Sequence, residues 1–261
     1  MKLFTSIRER LRRNDSRHVP SVVKSHANIA YSLIQHAEYL AARQQVLKAL
    51  ERRNDIRDPS ILTWLLELLW WTWIFTEQYR EAAEFFSTYL QSYPHDARAY
   101  GLRAASLWYS GELQRAIEDY SKALELDPQD ILAHMGRGQV FAESGEFNHA
   151  IEDLDFVHDN LEKAALGDVS RKTQVQAYSF SGRALAHAGL GDFERALSEF
   201  DRSIFLCPDN AFVYFNRAVV YENKGHIADA VADYKMSLQK AMPKLTALKR
   251  KYAELKVRTI A

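Results

Sequence analysis

Glycines, alanines and prolines recur in this sequence at intervals of 34 residues. Four glycines are separated by 34, 46 and 34 residues, namely Gly111, Gly145, Gly191 and Gly225. Four alanines show the same three separations, namely Ala116, Ala150, Ala196 and Ala230. A fixed period of this length predicts one supersecondary unit that stacks on copies of itself. The separation of 46 residues indicates an insertion of 12 residues at one boundary between units.

Each unit has the sequence pattern of two helices joined by a tight turn. Between Pro94 and Pro128, which are 34 residues apart, we predict a first helix over about 97–110 and a second over about 113–126. Gly111 allows the turn between them, and the small Ala116 lets the paired helices approach closely. Pro128 ends the unit because proline cannot continue a helix. The low contents of glycine (10) and proline (6) disfavour an all-β chain, which needs many turns.

This pattern resembles the tetratricopeptide repeat (TPR) family. The second unit carries the aromatic, small, turn and closing residues of the family motif as Tyr100, Ala104, Gly111, Ala116, Tyr120, Ala123 and Pro128. The resemblance covers units at about 63–96, 97–130, 131–164, 177–210 and 211–242, and the first is the loosest because Glu77 replaces the turn glycine. It implies an all-α fold, a right-handed superhelix (α-solenoid) of about five helix-turn-helix repeats.

Segments on both sides of the repeats are also predicted to be helical. Residues 1–58 form an N-terminal helical extension, either a separate hairpin or a degenerate repeat, and residues 243–261 form a basic C-terminal capping helix. The TPR domain is then 59–242, with an inserted loop near 162–176 between lengthened helices. A cover over the first unit is required, because the run 61–75 is apolar on every face and such a helix must be buried.

Four units carry an arginine that is followed 16 residues later by an acidic residue. The pairs are Arg103 with Asp119, Arg137 with Asp153, Arg183 with Glu199, and Arg217 with Asp233. The offset leads from the first helix of a hairpin to the second, so the two charges can form a structural ion pair. The alternative is an arginine ladder that binds an anion. The first unit has Leu69 and Phe85 at the two places, and this joint absence of both charges favours the ion pairs.

The resemblance implies that the first helices of successive units line a concave groove for protein partners. The positions carried over from the family are Trp64, Trp71, Trp108, Tyr109, Met135, Gln139, Tyr178, Leu185, Phe212, Phe215 and Val219. They are mostly apolar, which favours an apolar peptide or the nonpolar face of an amphipathic helix as the partner. Some family members hold a chaperone's C-terminal carboxylate at these places, but the apolar residues here argue against that partner. Residues 1–58 either leave the N-terminal end of this groove open or fill it.

No catalytic, cofactor-binding or metal-binding motif is present in the sequence. We therefore expect a noncatalytic protein with no cofactor and no metal site. The predicted function is protein–protein interaction, as an adaptor, an assembly factor or a chaperone-like holder of an apolar segment. A regulatory subunit of an enzyme is an alternative, and self-association through the apolar first unit is another.

The formal net charge is zero, but the charges are distributed unevenly. Residues 1–58 and 240–261 each carry a net charge of +6, and the residues between them carry −12. A zero total argues against a nucleic-acid-binding protein, whereas the basic ends keep a membrane-peripheral or nucleic-acid-contacting scaffold as a weaker alternative. The single cysteine, Cys207, cannot form an internal disulfide, and no apolar run fits a signal peptide or a membrane span, so we expect a cytoplasmic protein.

Overall fold

The computed structural model describes residues 19–164, 166, 169–240 and 256. Within these residues the chain folds into twelve α-helices and no β-strand, which confirms the predicted all-α solenoid. The helices are α1 (Ser21–Gln35), α2 (Tyr39–Leu50), α3 (Pro59–Ile74), α4 (Tyr79–Ser92), α5 (Ala97–Ser110), α6 (Leu113–Leu126), α7 (Ile131–Ser144), α8 (Phe147–Asn160), α9 (Val169–Gly189), α10 (Phe193–Leu206), α11 (Ala211–Asn223) and α12 (Ile227–Lys240). A short 3₁₀ turn, Arg53–Asp55, lies between α2 and α3.

The helices form six consecutive hairpins, and each hairpin turns at one residue in the left-handed backbone region. In the last four hairpins this residue is a glycine of the 34-residue pattern, with φ between +76° and +88°. In the first two it is Ala37, with φ +61°, and Glu77, with φ +56°. Glycine adopts this region without the Cβ clash that other residues meet. The α1–α2 hairpin therefore turns in the same way as the repeats, although its sequence lacks the turn glycine.

Four of the first helices begin at a side-chain cap. Asp58, Asp96, Asp130 and Asn210 accept hydrogen bonds from backbone N–H groups in the first turns of α3, α5, α7 and α11. These bonds satisfy donors that have no partner within the helix. α3 begins at Pro59, before the expected start of the first unit near residue 63. The early start follows from the Asp58 cap and from proline at the first helical position, where its fixed φ suits a helix.

α3 is apolar on almost every face, and other helices bury most of it. Its Trp64 is 1% exposed and its Leu65 is fully buried, in one core cluster with residues of α1 and α2. Arg43 of α2 also donates to the hydroxyl and the carbonyl oxygen of Thr72 of α3, both at 3.1 Å. The N-terminal hairpin therefore covers α3, and Trp64 belongs to the core.

The inserted residues between the third and fourth units add helix as well as loop. α9 has 21 residues, whereas α5 and α7 have 14 each. Residues 169–176, which the sequence analysis places in the loop, belong to α9 because Val175 packs into an apolar cluster with Ile131 and Val157. Tertiary packing of this kind stabilises helical turns that local propensity leaves marginal. The predicted capping helix at 243–261 lies outside the described residues except for Lys256.

Candidate functional site

Bidentate ion pairs join the two helices of each of the last four hairpins. Nε and Nη2 of the arginine donate to the two carboxylate oxygens at 2.6–2.9 Å, in the pairs Arg103–Asp119, Arg137–Asp153, Arg183–Glu199 and Arg217–Asp233. The carboxylates are 5–8% exposed. Nη1 of each arginine donates to a side chain of the preceding hairpin, which is Ser87, Ser121, Asp155 or Asp201 respectively. Each arginine thus links three helices, and this use of its donors favours a structural role over an anion ladder.

The first helices of the five repeats surround a narrow cavity of about 190 Å³. Eight of the eleven predicted groove residues line it, namely Trp71, Trp108, Tyr109, Met135, Gln139, Tyr178, Leu185 and Phe212. Gly101, Ala105, Asn216 and Glu143 lie between them. The lining therefore combines residues of α3, α5, α7, α9 and α11, and most of it is apolar or aromatic.

The other three predicted groove residues do not line this cavity. Trp64 lies in the core beneath the N-terminal hairpin. Phe215 is 8% exposed and packs edge to face on Tyr234 of α12, with 5.8 Å between the ring centroids. Val219 packs against the same cluster. Trp64 packs instead with residues of the N-terminal hairpin, and Phe215 and Val219 pack within the last hairpin.

A buried ion cluster at one end of the cavity joins the first and fourth units. Glu67 of α3 is 5% exposed and accepts hydrogen bonds from Arg98 of α5 at 2.8 Å and from Arg171 of α9 at 2.9 Å. Burial raises the pKa of Glu67, but the charges and hydrogen bonds of the two arginines outweigh burial and hold the pKa below its ordinary value. Arg171 and Glu67 are 104 residues apart in the sequence. The cluster therefore closes one side of the groove by a long-range contact.

Sequence reasoning missed Arg171 because this residue lies in the turns that the insertion adds to α9. The repeat register is interrupted there, so no family position could be carried over to it. Arg98 and Glu67 do fall at positions that face the groove, but the repeat pattern does not indicate that they meet. A charged residue inside the apolar run 61–75 was the one signal available, because a buried carboxylate needs a cationic partner.

Aromatic side chains close the groove on another side. The ring of Tyr109 on α5 lies 6.3 Å from the ring of Phe212 on α11, centroid to centroid. Nε1 of Trp108 donates to Oε2 of Glu143 at 3.0 Å. Burial raises the pKa of Tyr109 well above its ordinary value and raises that of Tyr178 to about 12. Both phenols are therefore neutral at physiological pH, and the cavity presents apolar aromatic walls.

Other classes of site have no support in the described part of the chain. It contains no group of three or more His, Cys, Asp and Glu side chains that could hold a metal ion. None of its helices is long and apolar enough to cross a membrane. Lys256 forms an ion pair with Glu222 of α11, so this residue of the C-terminal segment reaches the last repeat.

Comparison with known proteins identifies the same repeat. A model described as TPR repeat matches residues 106–145, and one described as tetratricopeptide repeat matches residues 181–243. Among solved structures, the chain is similar to a tetratricopeptide repeat protein from Parabacteroides merdae, with 15% identity, a TM-score of 0.53, and coverage of 92% of this chain and 98% of that one. No curated protein matches the sequence significantly.

Two further structures show the same likeness. A chain of the APC/C hetero-tetramer Cut9–Hcn1 is 15% identical with a TM-score of 0.68, and the match covers 99% of this chain and 46% of that one. A thermophilic TPR protein in Thermus thermophilus is 20% identical with a TM-score of 0.52, and the match covers 76% of this chain and 98% of that one. At these identities the likeness shows the fold alone. The matched segments, the turn glycines and the stacked hairpins agree, and the chain therefore contains tetratricopeptide repeats within an all-α solenoid fold.

Proposed function

We propose that this protein is a noncatalytic protein–protein interaction module that binds an extended apolar segment of its partner over the groove. One observation carries the proposal. Trp108, Tyr109, Leu185 and Phe212 come from the second, fourth and fifth repeats and converge on one half-buried apolar surface. Convergent aromatic side chains in a concavity are typical of the residues that dominate binding free energy at protein interfaces. Stacked hairpins hold this surface in place before binding, so little ordering cost falls on this protein.

The geometry favours an extended segment over a helix. An α-helix with its side chains is about 10–12 Å across. The groove is closed on one side by the Glu67–Arg171 ion pair and on another by the edge-to-face contact of Tyr109 with Phe212, and the space between them has a volume of about 190 Å³. A space of this size cannot hold a helix, whereas an extended chain can place single side chains in it, in alternation with side chains that point to solvent. Of the two partner forms that the sequence leaves open, we therefore propose the extended one.

Capture of partners from the native cell tests the proposal. The double variant Leu185→Glu with Phe212→Glu adds two charges to the apolar surface, and we expect it to lose the captured partner. Phe215→Glu is unsuitable because Phe215 is buried and the variant would unfold the last hairpin. A matched control is Phe205→Glu, since Phe205 is 86% exposed and does not line the groove.

Both variants should remain folded, because the substituted side chains lie at the surface or on the wall of the groove. Circular dichroism at 222 nm should therefore give the same helicity for both variants and the parent protein. Equal capture of the same partner by the groove variant and by the parent protein would contradict the proposal. Loss of capture by the Phe205→Glu control alone would move the interface to α10.

The charge distribution favours one second candidate, a scaffold that contacts anionic membranes or nucleic acid through its basic ends. The net charge of +6 at each end of the sequence is the observation behind it. Binding of this kind falls steeply as salt concentration rises. Binding to anionic vesicles or to duplex DNA that persists unchanged at 0.5 M salt, or is absent at low salt, would exclude this candidate.

A further inference from the structure

The fourth unit exposes two apolar side chains that the repeat pattern does not require. Leu190, in the turn before α10, is 51% exposed, and Phe205, in the last turn of α10, is 86% exposed. The other four units have polar residues at both places: Thr76, Ser110, Ser144 and Lys224 correspond to Leu190, and Gln91, Glu125, Asp159 and Gln239 correspond to Phe205. The repeat fold therefore does not explain these two side chains, and their exposure indicates a contact with another molecule.

The outer face of α10 carries charges of both signs between these two side chains. Glu194 and Arg195 lie near the start of the helix, and Asp201 and Arg202 lie seven residues further on. All four are exposed, and so is Ser198, the small residue midway between the two acid–base pairs. Residues three and four apart are neighbours on a helix surface, so these five residues form one stripe.

This stripe is complementary to a copy of itself that runs in the opposite direction. A two-fold axis at Ser198 places Glu194 opposite Arg202 of the second copy, and Arg195 opposite Asp201 of the second copy. Each contact occurs twice, because a two-fold interface uses the same surface on both copies. A parallel pairing would place like charges opposite each other. No other second helix of a repeat carries an acid–base pair at both ends of this face.

The same axis brings the exposed apolar side chains together. It places Phe205 opposite Leu190 of the second copy. A depression of about 430 Å³ lies beside Phe205, and its lining includes the largely buried ring of Phe180. Leu190 of the second copy can enter this depression, because the small Ser198 at the crossing point allows the two helices to approach closely. An apolar contact therefore lies at each end of the stripe.

The charges that this pairing uses are available at the surface. Glu194 and Arg202 form no ion pair within the described residues, and the guanidinium of Arg202 lies 5.8 Å from the ring of Phe180. Arg195 and Asp201 form ion pairs within their own chain, but their side chains remain 62% and 67% exposed. All four charges can therefore contact a second copy while the hairpin keeps its own contacts.

We infer that two copies of this chain form a dimer by antiparallel pairing of α10 with α10 of the second copy, centred on Ser198. No residue of α10 lines the groove cavity, so the inference goes beyond the proposed function. α10 has 14 residues and is about 21 Å long. One helix pair of this length buries less surface than a typical stable interface, so we expect a Kd of about 10–100 µM.

Sedimentation equilibrium of the full chain, from tenfold below to tenfold above this Kd, tests the inference. We expect the average mass to rise with concentration from that of the monomer, 30.1 kDa, towards that of the dimer. The mass of a monomer at all concentrations would overturn the inference.

An exchange of charges between two variants tests the pairing itself. Glu194→Arg places arginine opposite Arg202 of the second copy, and Arg202→Glu places glutamate opposite Glu194 of the second copy. We expect each variant alone to dimerise at least tenfold more weakly than the parent protein. In an equal mixture every pair is again of opposite charge, so we expect a heterodimer with a Kd within threefold of the parent value. Dimers of unchanged affinity in either variant alone, or no heterodimer in the mixture, would overturn the inference.

The apolar contact is tested with a matched control. Phe205→Glu should weaken the dimer at least tenfold, because a charge then faces Leu190 of the second copy. Gln91→Glu introduces the same side chain at the corresponding exposed place on α4, and we expect no change in affinity. Equal effects of these two substitutions would overturn the inference. No partner protein is present in these measurements, so their failure leaves the capture experiment standing.

Discussion

Replacement of Glu67 by leucine tests whether the buried ion cluster holds the first and fourth units together. The change removes the acceptor of both arginines and leaves the like charges of Arg98 and Arg171 close to each other. Removing one partner of a buried pair costs about 3–5 kcal/mol. The side chains of Arg98 and Arg171 are 19% and 16% exposed, so water reaches both. We therefore expect a smaller loss of stability, about 2–4 kcal/mol, around α3 and α9.

Hydrogen exchange followed by mass spectrometry is the suitable assay, because repeat arrays can unfold in parts. Since each 1.4 kcal/mol is a factor of ten, we expect the amides of α3 and of the first turns of α9 to exchange about 30- to 700-fold faster. The helices α11 and α12, which do not contact the cluster, should keep their exchange rates.

A triple variant serves as the control for this prediction. Glu67→Leu combined with Arg98→Met and Arg171→Met replaces the whole cluster by apolar side chains, and such replacements are often close to neutral. We expect protection in α3 and α9 to return in the triple variant. Unchanged exchange of α9 in Glu67→Leu, or an equal loss of protection in α12, would refute the reasoning.

Four further substitutions give distinct expectations. Gly101→Ala should stabilise the protein by about 0.5–1 kcal/mol in urea unfolding, because the added Cβ meets open space. Gly136→Ala should destabilise the protein by about 1–2 kcal/mol, because the added Cβ would overlap the ring of Tyr120. Equal effects of the two substitutions on the free energy of unfolding would contradict this prediction. Ala37→Gly should stabilise the α1–α2 hairpin by about 0.5 kcal/mol, because a φ of +61° is costly for alanine. Slower hydrogen exchange of the α2 amides in this variant would confirm the stabilisation. Burial raises the pKa of Asp153, but hydrogen bonds from an arginine and a histidine outweigh burial and lower the pKa below its ordinary value. Its stabilisation is therefore complete above the unfolded pKa of about 3.9 and is lost as pH falls through the lower folded pKa, so the difference in Tm between the parent protein and Asp153→Asn should be large at pH 7 and shrink below about pH 4.

The local parts of the fold could be predicted from the sequence. Helices were expected at about 97–110 and 113–126, and the structure has α5 at Ala97–Ser110 and α6 at Leu113–Leu126. The turn glycines have the left-handed backbone that their positions indicated. Arg103 and Asp119 meet because an offset of 16 residues spans one hairpin. All of these features depend on contacts within one unit or between adjacent units, and the 34-residue period specifies such contacts directly.

The candidate site was predicted less completely, because it depends on contacts between distant units. The family positions included Tyr109 and Phe212, but the sequence did not indicate that their rings are in edge-to-face contact, with 6.3 Å between the centroids. Trp64 and Phe215 were expected in the groove and lie in the core, since helical spacing alone does not show which face a neighbouring helix covers.

The sequence by itself determined the unit, its turns and the positions of its paired charges, because these depend on neighbours within about 34 residues. The tertiary structure alone decided that the groove closes around a small cavity. That closure depends on the curvature summed over four units and on the added turns of α9, which bring Arg171 to Glu67 across 104 residues. Small rotations between successive hairpins accumulate along a solenoid, and the length of the sequence repeat does not specify these rotations.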